Sequence, residues 1–393
     1  MKLKALILSL VLFLSINVLA NADVDMAQSN NEFSIKLYNQ LSAQDQNQSI
    51  FFSPFGIYMA FGMAYEGSDG NTAKQIESVF KFIPSNQDRW NEFSNLYNNL
   101  NRKDSPYKLS IANAFWVANK YPILKSYTDI LKDYYHAVAY NVDFCKEPAN
   151  SAQQINKWAR DNTNNKINQV VQADSFDCLT KLVLTNAVYF KGTWVTEFDK
   201  NQTKESDFFV NPNEVKKVQM MYIKKGNFEY TENEVMQMLE MPYKGKDLSM
   251  LILLPKHNIN ELEKNLTGDN LDELQKQLTK EEVNVYIPKF KLELSYHLPE
   301  ELKALGIEDA FSEGSADFSK ITGNPDLYIY DVIHKSFVEV NEEGTEAAAV
   351  TVIVFAAKAI PQEPVTFKAD HPFIFIIKDN KTGLILFMGK FMG

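Results

Sequence analysis

The stretch from Asn341 to Pro361 places the tightest limits on what this chain can build. Glu342, Glu343 and Gly344 read as a flexible lead-in, and the next residues, Thr345-Glu-Ala-Ala-Ala-Val-Thr-Val-Ile-Val-Phe355, have the small and β-branched composition of a strand. With the period of two of a strand, one face carries Thr345, Ala347, Ala349, Thr351, Ile353 and Phe355. The other carries Glu346, Ala348, Val350, Val352 and Val354. The first face suits burial, with the Glu346 charge on the solvent side. Ala347 to Ala357 is too short to span a bilayer. Composition alone does not separate a permanent strand from one that joins a sheet only under some condition.

The rest of the chain shows both helical and strand patterns. Phe33, Leu37 and Leu41 lie four apart, and Ile155, Trp158, Ala159 and Asn162 follow helical spacing through 149 to 165. Ile111 to Ala118, Leu182 to Phe190 and Met250 to Leu254 are strand-like apolar runs, and Val283 to Ile287 alternates. Phe373 to Ile377 and Leu384 to Met388 flank Asn380-Lys-Thr-Gly383, a hairpin turn composition. Helices and strands mix without βαβ regularity, which predicts an α+β fold. No Pro/Gly/Ser linker, charge block or repeat divides the 393 residues, so one continuous domain is expected from 23 to 393.

The first 22 residues read differently. Lys2 and Lys4 precede an apolar stretch from Ala5, and Ala20-Asn-Ala22 closes it, the pattern of a secretory signal cleaved after Ala22. Secretion is therefore expected, to the exterior or to a bacterial periplasm. There Cys145 and Cys178 are free to bridge or to remain thiols, and spacing does not decide between them. Asn47, Asn201, Asn265 and Asn380 head Asn-x-Ser/Thr sequons, which matter only where the host glycosylates. A net charge of -10 supplies no basic excess to neutralise phosphates, so neither nucleic acid nor an anionic membrane is an expected partner.

Catalytic motifs are absent. There is no G-x-S-x-G, H-E-x-x-H, P-loop or dinucleotide fingerprint. His136, His257, His297, His334 and His371 are scattered, with no local metal-site spacing, and nothing nominates a nucleophile. Neither an enzyme nor a metal or organic cofactor is expected.

Glu342-Glu-Gly-Thr-Glu-Ala-Ala-Ala349 resembles the hinge of inhibitory serpins, and the likeness covers nearly the whole mature chain. Phe52-Ser-Pro-Phe-Gly-Ile57, Asn186-Ala-Val-Tyr-Phe-Lys-Gly-Thr-Trp194 with Phe198, Leu239-Glu-Met-Pro-Tyr243, His334-Lys335, His371-Pro-Phe373 and Phe387-Met-Gly389 match further family signatures in family order and spacing. The resemblance implies three β-sheets, about nine helices and an exposed reactive-centre loop, about 342–363, of antithrombin-like length. A serine protease attacks the loop, and the freed loop inserts as a new strand of the large sheet. That distorts the acyl-enzyme before it can deacylate.

By the same resemblance the scissile bond is Lys358-Ala359, which suits a trypsin-like pocket; Phe355-Ala356 and Ala357-Lys358 are the neighbouring alternatives. The hinge comprises Glu342, Gly344, Thr345, Ala347, Ala348 and Ala349. Ser53, Asn186 and His334 match the shutter that holds the central strands together, and Trp194 and Glu342 match the breach where insertion begins. Val350 departs from the Ala, Ser or Gly usual there and is expected to slow insertion at worst. The chain is expected to be a monomer that can form loop-sheet polymers. The rival reading is a non-inhibitory serpin acting as chaperone, carrier or storage protein. Arg89, Arg102 and Lys103 are a sparse basic set for a glycosaminoglycan and read as solvated charge.

Overall fold

The four-residue spacing of Phe33, Leu37 and Leu41 closes into the helix Met26–Gln44, which buries all three. Asp25 caps it by accepting from the amides of Ala27 and Gln28. The computed structural model describes residues 25–345 and 363–393. The expected signal, the reactive bond Lys358-Ala359 and the hinge residues Ala347, Ala348 and Ala349 lie outside the described residues.

Within them the chain forms 10 α-helices and two hydrogen-bonded sheets, the expected α+β arrangement. One sheet has 9 strands and the other 6. Two of the three expected sheets run together because the long strand Glu214–Glu232 is bonded both to Thr279–Pro288 and, through its last residues, to Met236–Pro242. The C-terminal hairpin forms as its composition predicts, pairing Phe373–Asp379 with Ile385–Phe391. Of the sequon asparagines, Asn380 already spends its Nδ2 on the Lys246 carbonyl (2.9 Å) and Ser249 Oγ (2.7 Å).

The six-stranded sheet positions the residues that matter for function. Leu182–Thr193 pairs antiparallel with Tyr107–Ala118 and parallel with Ile329–Asn341, which pairs in turn with Phe290–His297. Its side chains alternate between two cores. Leu109, Ile111, Phe115, Leu184, Val188, Phe190, Val332 and Val338 enter the large core shared with the helices and the other sheet. Ala112, Ala114, Trp116, Val183, Ala187, Tyr189, Ile333 and Phe337 face the opposite way and are covered by Ile155, Trp158 and Ala159 of the helix Pro148–Asn162. The seam between Leu182–Thr193 and Ile329–Asn341 is thus buried on both faces.

Cys145 and Cys178 are joined in a disulfide, which settles the choice that spacing left open. The reading of Arg89 as solvated charge is corrected: its side chain is 1% exposed. It donates to Glu66 Oε1 (2.7 Å), to the Ile83 and Pro84 carbonyls and to Asn86 Oδ1. A guanidinium with five donors can be satisfied indoors when a carboxylate and carbonyls surround it. Arg102 does sit at the surface, bridging to Asp247 at 2.7 Å.

Candidate functional site

The site is the seam itself, fastened at its centre and wedged at one end. At the centre, Asn186 and His334 are direct partners in the parallel ladder. Both belong to the alternation that points into the large core, as does Asn113, opposite Asn186 on the neighbouring strand. The Ser53 amide donates to His334 Nε2 (3.0 Å), so that nitrogen is an acceptor and the ring proton resides on Nδ1, which donates to Asn186 Oδ1 at 2.6 Å. Asn186 Nδ2 in turn donates to Asn113 Oδ1 (2.7 Å) and the Ala112 carbonyl (3.3 Å).

Ser53 ties this chain of bonds to the rest of the protein. It caps the helix Pro54–Gly67, accepting from the Gly56 amide (3.1 Å), and its hydroxyl donates to the Leu386 carbonyl (2.7 Å). Gly56 has no side chain because a Cβ there would stand 2.6 Å from Asn186 Oδ1. Ser336 extends the network by donating to the Phe51 carbonyl (2.7 Å). Complete burial pushes the His334 pKa down to about 3, so the ring is neutral at neutral pH. Ser53, Asn186 and His334 are therefore brought together across the seam, and Asn113 joins them. Sequence reasoning passed over Asn113, although a lone amide inside the apolar run Ile111 to Ala118 was a usable signal.

At the end of the seam the structure departs from expectation. Glu342, Glu343 and Gly344 read as a flexible lead-in. Instead Glu342 and Glu343 are buried and form the two-residue turn of a hairpin in which Asn341 pairs with Gly344 and Val340 with Thr345. The same two residues, Gly344 and Thr345, pair antiparallel with Thr193 and Gly192 across the gap. Polar partners make this burial tolerable. Glu342 accepts from Lys289 Nζ (2.9 Å) and the Thr203 hydroxyl (2.9 Å), and Glu343 is paired with Lys200. Burial opposes ionisation of Glu342, but Lys289 and Thr203 outweigh it and hold its pKa below the usual carboxylate range.

Trp194 stacks on Tyr243 with ring centroids 4.5 Å apart and donates from Nε1 to the Asn341 carbonyl at 3.1 Å. Its amide donates to the Glu343 carbonyl (3.0 Å), and the Phe198 amide donates to that of Glu342 (2.8 Å). Gly344 has φ +148°, and a Cβ there would meet the Gly192 carbonyl oxygen at 2.1 Å, so no other residue fits. Thr345 is 0% exposed, its hydroxyl 3.0 Å from that of Tyr243. Trp194, Glu342, Gly344 and Thr345 thus form one cluster, and the end of the seam holds the two-residue strand Gly344–Thr345.

The central ladder of the sheet is thus held by a buried polar chain, and the two-residue strand Gly344–Thr345 sits between the two flanking strands at one end of the seam. A family model described as serpin (serine protease inhibitor) matches residues 28–393. The chain belongs to that family, whose members are in general protease inhibitors directed at serine proteases rather than enzymes. An uncharacterized serpin-like protein of Thermococcus kodakarensis is 42% identical over 366 residues, 92% of this chain and 84% of that one. The leukocyte elastase inhibitor of Equus caballus is 39% identical over 376 residues, 93% of this chain and 98% of that protein. The crystal structure of Serpin48, a highly specific serpin of the insect Tenebrio molitor, superposes with TM-score 0.85 at 32% identity, covering 95% of this chain and 99% of that chain.

Proposed function

We propose that this protein is an exported suicide inhibitor of trypsin-like serine proteases, cleaved at Lys358-Ala359 and inserting its loop into the seam between Leu182–Thr193 and Ile329–Asn341. The observation that carries this reading is the register of Gly344 and Thr345, antiparallel to both flanking strands. Carried forward, that register replaces the parallel ladder between Ile329–Phe337 and Leu182–Tyr189 with two antiparallel ones, which doubles the backbone pairing and favours the better-bonded geometry.

The same register has a consequence at the seam's centre. Six residues beyond Thr345 is Thr351; six before Gly192 is Asn186, and six before Val340 is His334. An even step keeps Thr351 on the same face as Thr345, toward the large core. Insertion would therefore put a hydroxyl, able to donate and accept, between the amide and imidazole that it separates. The polar chain is re-formed through Thr351 instead of being left buried and unpaired.

A lysine preceding the scissile bond suits a pocket with a carboxylate at its base, the reason for assigning trypsin-like targets. Partners beyond the protease are other copies of the chain, whose loops can enter an opened seam to form polymers. Mixing the protein with trypsin and running a denaturing gel is the test. A stable covalent band, with Lys358 as the new C-terminus of the cleaved inhibitor, is expected. Cleavage without a band would replace this reading with the carrier, chaperone or storage one.

A further inference from the structure

The helix Pro148–Asn162 closes the face of the seam opposite the His334 network. Its two flanks belong to one side of that seam. The preceding residues leave Val138–Val142, and the later ones lead into Leu182–Thr193. Ile155, Trp158 and Ala159 of the helix nevertheless belong to the same buried cluster as Ile333 and Phe337 of the other side. Lys166 Nζ, just past the helix, lies 5.6 Å from the centre of the Phe337 ring. The returning chain is strapped to the helix by Asn156, whose Oδ1 accepts from the Val170 and Val171 amides (2.7 and 3.0 Å) and whose Nδ2 donates to the Val171 carbonyl (2.8 Å). Where the flanks meet, Phe144 packs on Phe176 at 4.7 Å, and beside them the disulfide joins Cys145 to Cys178. Both cysteines are exposed.

From this arrangement we infer that the Cys145–Cys178 disulfide is a redox-sensitive latch that keeps the helix across the seam. The inference rests on the reading that the seam must part. For the two strands to separate, the cluster that joins the helix, Leu182–Thr193 and Ile333 with Phe337 must open. The disulfide closes a loop, 33 residues in sequence separation, that contains the helix. A closed loop has fewer conformations once detached, so the latch disfavours the lifted state while leaving the docked one unchanged. Reduction removes that restriction at the flanks and leaves Phe144 on Phe176, so the helix lifts more often without the fold being lost.

The reductant is a dithiol. Its thiolate attacks the exposed Cys178 Sγ, the S–S bond breaks, and Cys145 leaves as a thiolate that takes up a proton. The second thiol then displaces Cys178, which is protonated in turn, and the two electrons have come from the dithiol, now a disulfide. The latch opens in a reducing setting and closes again on oxidation.

The test is hydrogen–deuterium exchange on the full-length chain without protease, in the oxidised form, after dithiothreitol, after reoxidation, and as the Cys145→Ser/Cys178→Ser double variant. Amides of Leu182–Thr193 and Ile329–Asn341 are expected to exchange on the order of tenfold faster when the bond is open. They should return to the oxidised rate on reoxidation, with Phe373–Asp379 unchanged as the internal control. Equal seam rates in the oxidised and reduced forms overturn the latch, and so does acceleration that includes Phe373–Asp379. Should the double variant not fold, the reduced and reoxidised native chain still decides. Trypsin trapping is scored separately. A chain that traps trypsin but whose seam ignores redox state defeats the latch alone; a redox-dependent seam without trapping supports the latch and defeats only the proposed function.

Discussion

His334 stands directly opposite Asn186 in the parallel ladder and donates its Nδ1 proton to the Asn186 side-chain oxygen at 2.6 Å, while its other nitrogen accepts from Ser53. This contact spans the seam and ties together two strands that belong to different halves of the six-stranded sheet. Asn186→Ala would leave the His334 proton and Asn113 Oδ1 buried without partners. The intact protein is expected to lose on the order of 1–3 kcal/mol of stability and to polymerise on warming. Denaturant titration and native gels check it; an unchanged midpoint would mean the contact holds nothing.

Acid should act through the same imidazole. Its pKa falls from the ordinary 6.5 to about 3 because the buried ring has no solvent to stabilise a charge. Between those values the unfolded chain binds a proton that the native state does not. The contribution of the neutral ring is thus complete above pH 6.5 and is lost as pH falls toward 3, by at most about 1.4 kcal/mol per unit. His297 beside Asp331 and His371 beside Asp370 are shifted upward, so they stabilise the fold below pH 6.5 and work in the opposite sense. Comparing wild type with His334→Gln cancels their effect. The wild-type midpoint should fall more steeply than the variant's between pH 6.5 and 4, and parallel curves would contradict it.

Thr345→Arg would put a guanidinium against Tyr243 in a fully buried place that offers no carboxylate among Thr345's described contacts. The hinge should then be expelled and insertion blocked at its first step. Trypsin is expected to cleave the variant at an ordinary rate, with the covalent band reduced at least tenfold. Undiminished trapping would show that insertion does not start at this residue.

Gly344→Ala tests the turn that delivers Thr345. The added methyl would collide with the Gly192 carbonyl, and φ +148° is costly for alanine. The intact chain should lose on the order of 1–3 kcal/mol, accompanied by faster amide exchange at Gly192 and Thr193. Wild-type exchange there would show that the hairpin tolerates a side chain.

Thr351→Val keeps the shape of the side chain and removes the hydroxyl. If the register of Gly344 and Thr345 continues, loop-cleaved protein should lose on the order of 1–2 kcal/mol, since Asn186 and His334 lose a bridging partner. The uncleaved chain should be unaffected. Equal effects on both forms, or none on the cleaved form, would refute the extrapolated register.

Much of this was legible in the residues themselves. Apolar period marked the helices around Leu37 and Trp158 and the strands around Val188 and Ile252, because each element must bury one face and backbone geometry fixes the repeat. The motif around Asn186 and His334 pointed to the shutter, but their being ladder partners, and the tautomer that joins them, depend on strands 148 positions apart in sequence. Glu342 and Glu343 misled because two adjacent carboxylates normally signal solvent. Lys289 and Lys200, far away in the chain, are what let them be buried. Arg89 misled for the same reason, its partners being a carboxylate and carbonyls that only folding assembles.

The sequence by itself determined the α+β class and the family, since local period, turn chemistry and motif order carry that information. Tertiary structure alone decided that Gly344 and Thr345 already occupy the seam, that a disulfide closes the loop around the Pro148–Asn162 helix, and that Asn113 completes the His334 network. Each of those depends on the register and approach of distant segments. Burial and hydrogen-bond partners are properties of the packed whole, and no local pattern specifies them.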